Sequence, residues 1–236
     1  MKLHHFALSA SALALALAGT AHAAQVNSPA SISGSGTKVI TFDGYDGLLT
    51  TGPVNVGAEV GDTVTFTSVP YSMIGANAQD LGDNGLWGAR GNPTDGLEPT
   101  PTGSGNFLAS AFITKRGEFG FSFANPVSSV GAWLNQYQAT GTTNNRLVFI
   151  AYDIDGNELE SYTATVNTDA FGYNEGSFFG IQRASADIYG FGVADGSIVM
   201  DNLTYTAAVP EPSSYALMVV GLGLLGAVAR RRQVSR

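Results

Sequence analysis

Hydrophobic residues recur with a period of two along most of the chain. In Glu118-Phe119-Gly120-Phe121-Ser122-Phe123 the three phenylalanines fall on one face, the pattern of a strand with one buried side. Val64 and Phe66 alternate with Thr63, Thr65 and Thr67, and Val130, Ala132 and Leu134 alternate with Ser129, Gly131 and Trp133. Residues 147–152 form a continuous apolar run, as expected for a central strand covered on both faces. Residues 188–193 and 197–205 complete the set, with shorter candidates at 39–42, 107–113, 159–166 and 178–182. No part of this region carries a 3.6-residue apolar stripe with caps. Short strands separated by Gly, Asn and Asp turns predict an all-β domain over residues 37–206, a single jelly-roll-like β-sandwich.

Three stretches depart from this pattern. Residues 24–36 are small, polar and turn-forming, and read as a flexible leader. Residues 71–106 are rich in Gly, Asn, Asp and Pro and hold Tyr71, Trp87 and Arg90 among polar neighbours. A connection of that length is usually functional or disordered. An aromatic face among amides and carboxylates suits a sugar ring; equally, Trp87 could plug the end of the sandwich. The third departure is the pair of chain ends, which are apolar without alternation.

At the N-terminus, Lys2, His4 and His5 precede an uncharged apolar run over residues 6–18, and Ala21-His22-Ala23 follows. A polar start, a short apolar run and a small-x-small step describe a secretory signal peptide of residues 1–23, cut by signal peptidase after Ala23. At the other end, residues 207–214 form a Pro-rich spacer containing Pro210-Glu211-Pro212. Each proline blocks helix at its own position and disfavours it just before. Residues 215–229 are apolar and uncharged, with Gly221, Gly223 and Gly226 near their middle, and Arg230-Arg231-Arg232 begins a basic tail over 230–236. As a helix the apolar run is about 22 Å long. It spans the bilayer only with its flanks recruited and the arginines snorkelling. The arginines then hold a cytoplasmic tail and leave the domain outside the membrane.

Charge and composition narrow the chemistry. The 236 residues include no cysteine, and all three histidines, His4, His5 and His22, lie in the signal peptide. The exported part thus has no imidazole or thiol for nucleophilic catalysis or zinc ligation. Between residues 24 and 209 there remain 6 of the 11 basic residues and 18 of the 19 acidic ones, a balance near −12. A surface of that sign repels polyanions, so nucleic acid is excluded as a partner. There is no GxxxxGK[ST] phosphate loop. Only carboxylate chemistry survives: a glycosidase pair, or oxygen ligands for a hard cation. No acid is marked by the sequence as a raised-pKa general acid.

The tail resembles the PEP-CTERM sorting signal of Gram-negative bacteria that make exopolysaccharide. The residues that carry the resemblance are Pro210, Glu211 and Pro212, the apolar segment with Gly221-Leu222-Gly223, and Arg230, Arg231 and Arg232. It implies recognition by exosortase, a membrane protease-transpeptidase, and processing near the tripeptide. The protein would be transiently anchored in the inner membrane and then delivered to the cell surface or extracellular matrix. A plain single-pass anchor would give the same topology without processing.

Within the domain, Asp153-Ile154-Asp155-Gly156-Asn157 has Gly fourth rather than sixth, so it reads as a hairpin turn and not an EF-hand loop. Asp201 shares a strand face with Val199, Leu203 and Tyr205. If that face is inward, a carboxylate is buried and needs partners; if Ile198 and Met200 are the buried ones, Asp201 is solvated. Phe42-Asp43-Gly44 and residues 198–205 also resemble the opening and closing steps of bacterial jelly-roll carbohydrate-binding modules. That resemblance implies a structural calcium between Asp43 and Asp201, the only cofactor considered. The resulting expectation is a non-enzymatic, structural or adhesive surface protein linked to exopolysaccharide or biofilm. The alternatives are a carbohydrate-binding module using Trp87, Tyr71 or Trp133, and a carboxylate glycoside hydrolase.

Overall fold

A computed structural model describes residues 23–34, 36–70, 72–76, 106–136, 146–166 and 177–207. The signal-peptide residues 1–22, Tyr71, Trp87, the Pro210-Glu211-Pro212 motif, the apolar segment 215–229 and the tail arginines lie outside these. The described residues form thirteen strands, two 3₁₀ turns and no α-helix, so the all-β expectation holds. None of their helices is long and apolar enough to cross a membrane.

The organising element is β8 (Gly120–Gln136), one 17-residue strand where the sequence pattern suggested two. Its first part runs between β5 (Val64–Thr67) and β12 (Ile188–Ala194), with Phe121 opposite both Phe66 and Phe191. The sheet continues outward from β12 to β9 (Arg146–Tyr152) and β10 (Glu158–Thr165). From Ser129 onward, β8 runs between β11 (Ser177–Gln182) and β13 (Gly196–Ala207). The change of neighbours falls around Pro126, which has no N–H to donate to a ladder. All pairings are antiparallel, and one large antiparallel sheet results.

Burial follows from this. Over residues 120–123, buried Phe121 and Phe123 alternate with more exposed positions, one face in and one face out. Over 127–136 most side chains on both faces are covered. Rings from the two parts of the sheet meet: Phe149 of β9 lies 5.8 Å from Phe179 of β11, and Phe123 lies 5.2 Å from Tyr205 of β13. The main core therefore sits between two layers built on one shared strand.

Two glycines set how closely strands pack. Gly131 and Gly180 are directly paired between β8 and β11. A Cβ on Gly131 would lie 2.7 Å from the Phe179 carbonyl oxygen and 2.8 Å from Gly180 Cα, which real side chains do not tolerate.

Residues 24–34 depart from the flexible-leader expectation. Ala24–Val26 form β1, paired to β11, and Ser28 caps a 3₁₀ turn at Pro29–Ile32. Val26 and Ile32 are buried against Phe178 and Trp133. Two apolar anchors in a polar stretch sufficed to dock it, a signal too sparse for periodicity to reveal.

Candidate functional site

The edge of β13 changes partner at its middle, and the sequence-predicted acids gather there. β2 (Thr37–Ile40) pairs with residues 203–206 of β13, and β7 (Phe107–Ile113) pairs with residues 196–200. Between them β13 has a register shift after Asp201, with Asn202 in the left-handed region at φ 51°. That conformation suits asparagine better than most residues. The facing chain turns away just after β2 through Phe42, also left-handed at φ 62°. For a bulky residue this is a true outlier, held by surrounding packing; Phe42 is fully buried.

The register shift explains why the simple face argument failed. Val199 packs in a small outer cluster with Phe107 and Ala109, whereas Leu203 and Tyr205 lie in the main core. Ile198 and Met200 are buried too, so both faces of the strand are covered and Asp201 is buried rather than solvated. Asp201 itself is 5% exposed. Its Oδ1 accepts from the Asn202 backbone N–H at 2.6 Å and its Oδ2 from the Asn202 side-chain amide at 3.0 Å.

Asp43 and Glu59 lie close enough to act on it. Burial, joined by the negative charges of Asp43 and Glu59, pushes the Asp201 carboxyl up to about 7 against the donated backbone hydrogen bond. Asp43 Oδ1 accepts from the Asn106 N–H at 2.9 Å, while the Asn106 amide donates to the Tyr45 carbonyl at 2.7 Å. Glu59 caps the turning chain, accepting from Thr41 N–H at 2.9 Å, Thr41 Oγ1 at 2.6 Å and Phe42 N–H at 3.3 Å. Asp43 and Asp201 are thus near enough for the charge of one to act on the other. Both Asp201 oxygens and both Glu59 oxygens already have donors, and among the described residues no group of three or more acidic ligands converges to hold a metal ion. Glu59 and Asn106 were not foreseen: one sits in a 3₁₀ turn at Val56–Val60 and the other just before β7, and no local pattern ties either to β13.

Trp133 is registered directly opposite Asp201 across β8 and β13, so the two share a face. It packs against both outer clusters, with its ring 6.1 Å from that of Phe178. This is a packing position; only part of the indole reaches solvent.

A separate concavity lies where β8, β12 and the end of β9 meet. It has a volume of about 510 Å³ and is lined by Tyr152, Tyr189, Gly190, Ser122, Thr67 and Asp153, among others. The Tyr152 ring lies along two glycines of β12: a Cβ on Gly190 would be 3.2 Å from Tyr152 Cβ, and one on Gly192 3.0 Å from Cε2. Among the described residues, the Tyr152 hydroxyl is the buried side-chain polar atom with no hydrogen-bond partner. Among the described residues, no lysine or arginine lines this groove. Beside it, Asp153 holds the expected hairpin turn, accepting from the N–H groups of Asp155 and Asn157.

Elsewhere the charges serve structure. Arg183 bridges Asp187 and Glu160. Asp62 accepts from Lys38 at 2.8 Å and from the Tyr205 hydroxyl at 3.0 Å. Burial alone would raise the Asp62 carboxyl, but these bonds and one from the Thr63 N–H outweigh it and hold it below the ordinary range. No curated protein matches the chain. Residues 208–233 match the model of the PEP-CTERM protein-sorting motif, so the chain carries an exosortase-type sorting signal behind its β-domain.

Proposed function

We propose that this is an exported surface protein whose β-domain, a jelly-roll-like scaffold, performs a non-enzymatic structural or adhesive role in an exopolysaccharide matrix. The single observation that carries this reading is the sorting motif at residues 208–233. A tail of that kind implies export, anchoring of the apolar segment 215–229 in the inner membrane, and processing by exosortase near Pro210-Glu211-Pro212. The signal peptide of residues 1–23 supplies the export step. The domain's chemistry agrees with a role that needs no catalysis. Its acids at the β13 junction accept hydrogen bonds from backbone and side-chain donors. Mass spectrometry of the protein recovered from its native surface tests the reading. A C-terminus near Pro210 is expected, and a chain retaining Arg230–Arg232 would refute processing.

A second reading, that the domain binds a neutral glycan, is favoured by the groove beside Tyr152 and Tyr189. Tyrosine faces stack on sugar C–H groups, and the exposed Ser122 in the groove lining offers a polar contact. Affinity electrophoresis of the protein in neutral polysaccharide gels tests it: retardation lost in Tyr189→Ala supports binding, and equal mobility with and without glycan refutes it.

A further inference from the structure

The register of the sheet places both sorting segments at one end of the domain. Ala24, the residue after the signal-peptidase step, pairs with Gln182; Gln182 pairs with Ser129; Ser129 pairs with Thr206; and Thr206 pairs with Thr37. One row of residues therefore crosses five strands and holds the first residue of the exported chain and the last turn of strand before the sorting tail. With strands about 4.8 Å apart, Ala24 and Thr206 are about 14 Å from each other. The row lies at the tail-proximal end of β13, where β8 passes from one part of the sheet to the other. β13 runs ten residues back from Thr206 to Gly196, about 30 Å, where Gly196 pairs with Ile113 and the chain continues to Thr114. The turn after β11, carrying Ala184 and Ser185, projects beyond the row, because β11 ends at Gln182.

We infer that the domain stands on its attachment surface with this row facing inward and the Thr114 end facing out. The inference rests on the sorting reading above. In the anchored precursor, seven residues, 208–214, separate β13 from the apolar segment and reach at most about 25 Å. After processing near Pro210 only about three residues remain, a reach of about 10 Å. A tether shorter than the domain's axis of about 30 Å, attached at one end of that axis, holds that end against the surface and leaves the other end in solution. The charges near the row are already matched, Lys38 by Asp62 and Arg183 by Asp187 and Glu160. Proximity to a surface therefore strands no unpaired charge among these.

Absence of cysteine makes the test direct. Thr114→Cys and Ser185→Cys, both at exposed turn positions, are introduced singly into the full-length chain and labelled on intact cells with a bulky polyethylene-glycol maleimide. Lys115→Cys and Ala184→Cys form a second pair, so that one poorly folded variant does not decide the result. The positions near Thr114 should react several-fold faster than those near Ser185 on cells, and at equal rates once the protein is solubilised. Equal rates on intact cells would overturn the orientation while leaving surface delivery intact. No labelling at either position on cells, with labelling of both after lysis, would overturn the sorting reading and the orientation together.

Discussion

Replacing Asp201 with asparagine should stabilise the domain above neutral pH and remove a specific pH dependence. In the folded state burial and the Asp43 and Glu59 charges raise the Asp201 carboxyl from 3.8 to about 7. A group whose folded value is raised contributes stability that is complete below its unfolded value and lost as pH rises through its folded value. The window is therefore about pH 4 to 7, opposite in sign to an ordinary paired carboxylate. A rise of about three units is worth about 4 kcal/mol at roughly 1.36 kcal/mol per unit. The amide in the Asp201→Asn variant would keep an oxygen for the Asn202 N–H and carry no charge at any pH. Urea unfolding of wild type and Asp201→Asn should thus give similar stabilities near pH 4, diverging to about 4 kcal/mol in favour of the variant by about pH 8. Asp43→Asn should shrink the divergence by removing one of the neighbouring charges. Parallel curves for wild type and Asp201→Asn across that range would refute the reasoning, because they would mean Asp201 ionises freely in the folded protein.

Three further outcomes follow from the geometry. Gly131→Ala should cost about 2–3 kcal/mol, read as a fall in the urea midpoint with an unchanged slope, because its Cβ would collide with β11 backbone. Phe149→Ala should cost about 3–5 kcal/mol, since the ring stacks on Tyr162 at 5.7 Å and meets Phe179 between the layers; a loss below about 1 kcal/mol would mean the layers do not close there. Calcium or chelator should leave the melting temperature at about pH 8 unchanged, given donors that already occupy the carboxylates near Asp201. A calcium-dependent rise that disappears in Asp201→Asn would reverse that conclusion.

Most strands were legible because their burial is one-sided or complete in a regular way. Phe119, Phe121 and Phe123 alternate, and residues 147–151 are apolar throughout and all buried. The hairpin at Asp153–Asn157 was legible from its Asp-Gly-Asn turn. Where the sequence misled, long-range contacts had overridden local pattern. The segment from Ala24 docks by pairing with β11 and by burying Val26 and Ile32. The register shift at Asn202 moves Leu203 to the face opposite from Val199, which no alternation predicts. Asp201 could be singled out as a carboxylate among apolar neighbours, yet its neighbours Glu59 and Asn106 arrive from 142 and 95 residues earlier in the chain. The Tyr152 groove depends on Gly190 and Gly192 lying under a ring from another strand, a meeting that only the fold supplies.

The pairing of β2 with β13 and of β1 with β11 has a kinetic consequence. Two of the first strands in the chain, residues 24–26 and 37–40, find their partners only at residues 180–182 and 203–206. Such non-local pairings carry a loop-closure cost and slow folding. The chain cannot close its sheet until nearly the whole domain has been made, which on the proposed export route would keep it threadable. On the proposed export route, closure becomes available only as the sorting tail follows, so the topology would match the finished domain to the arrival of its address.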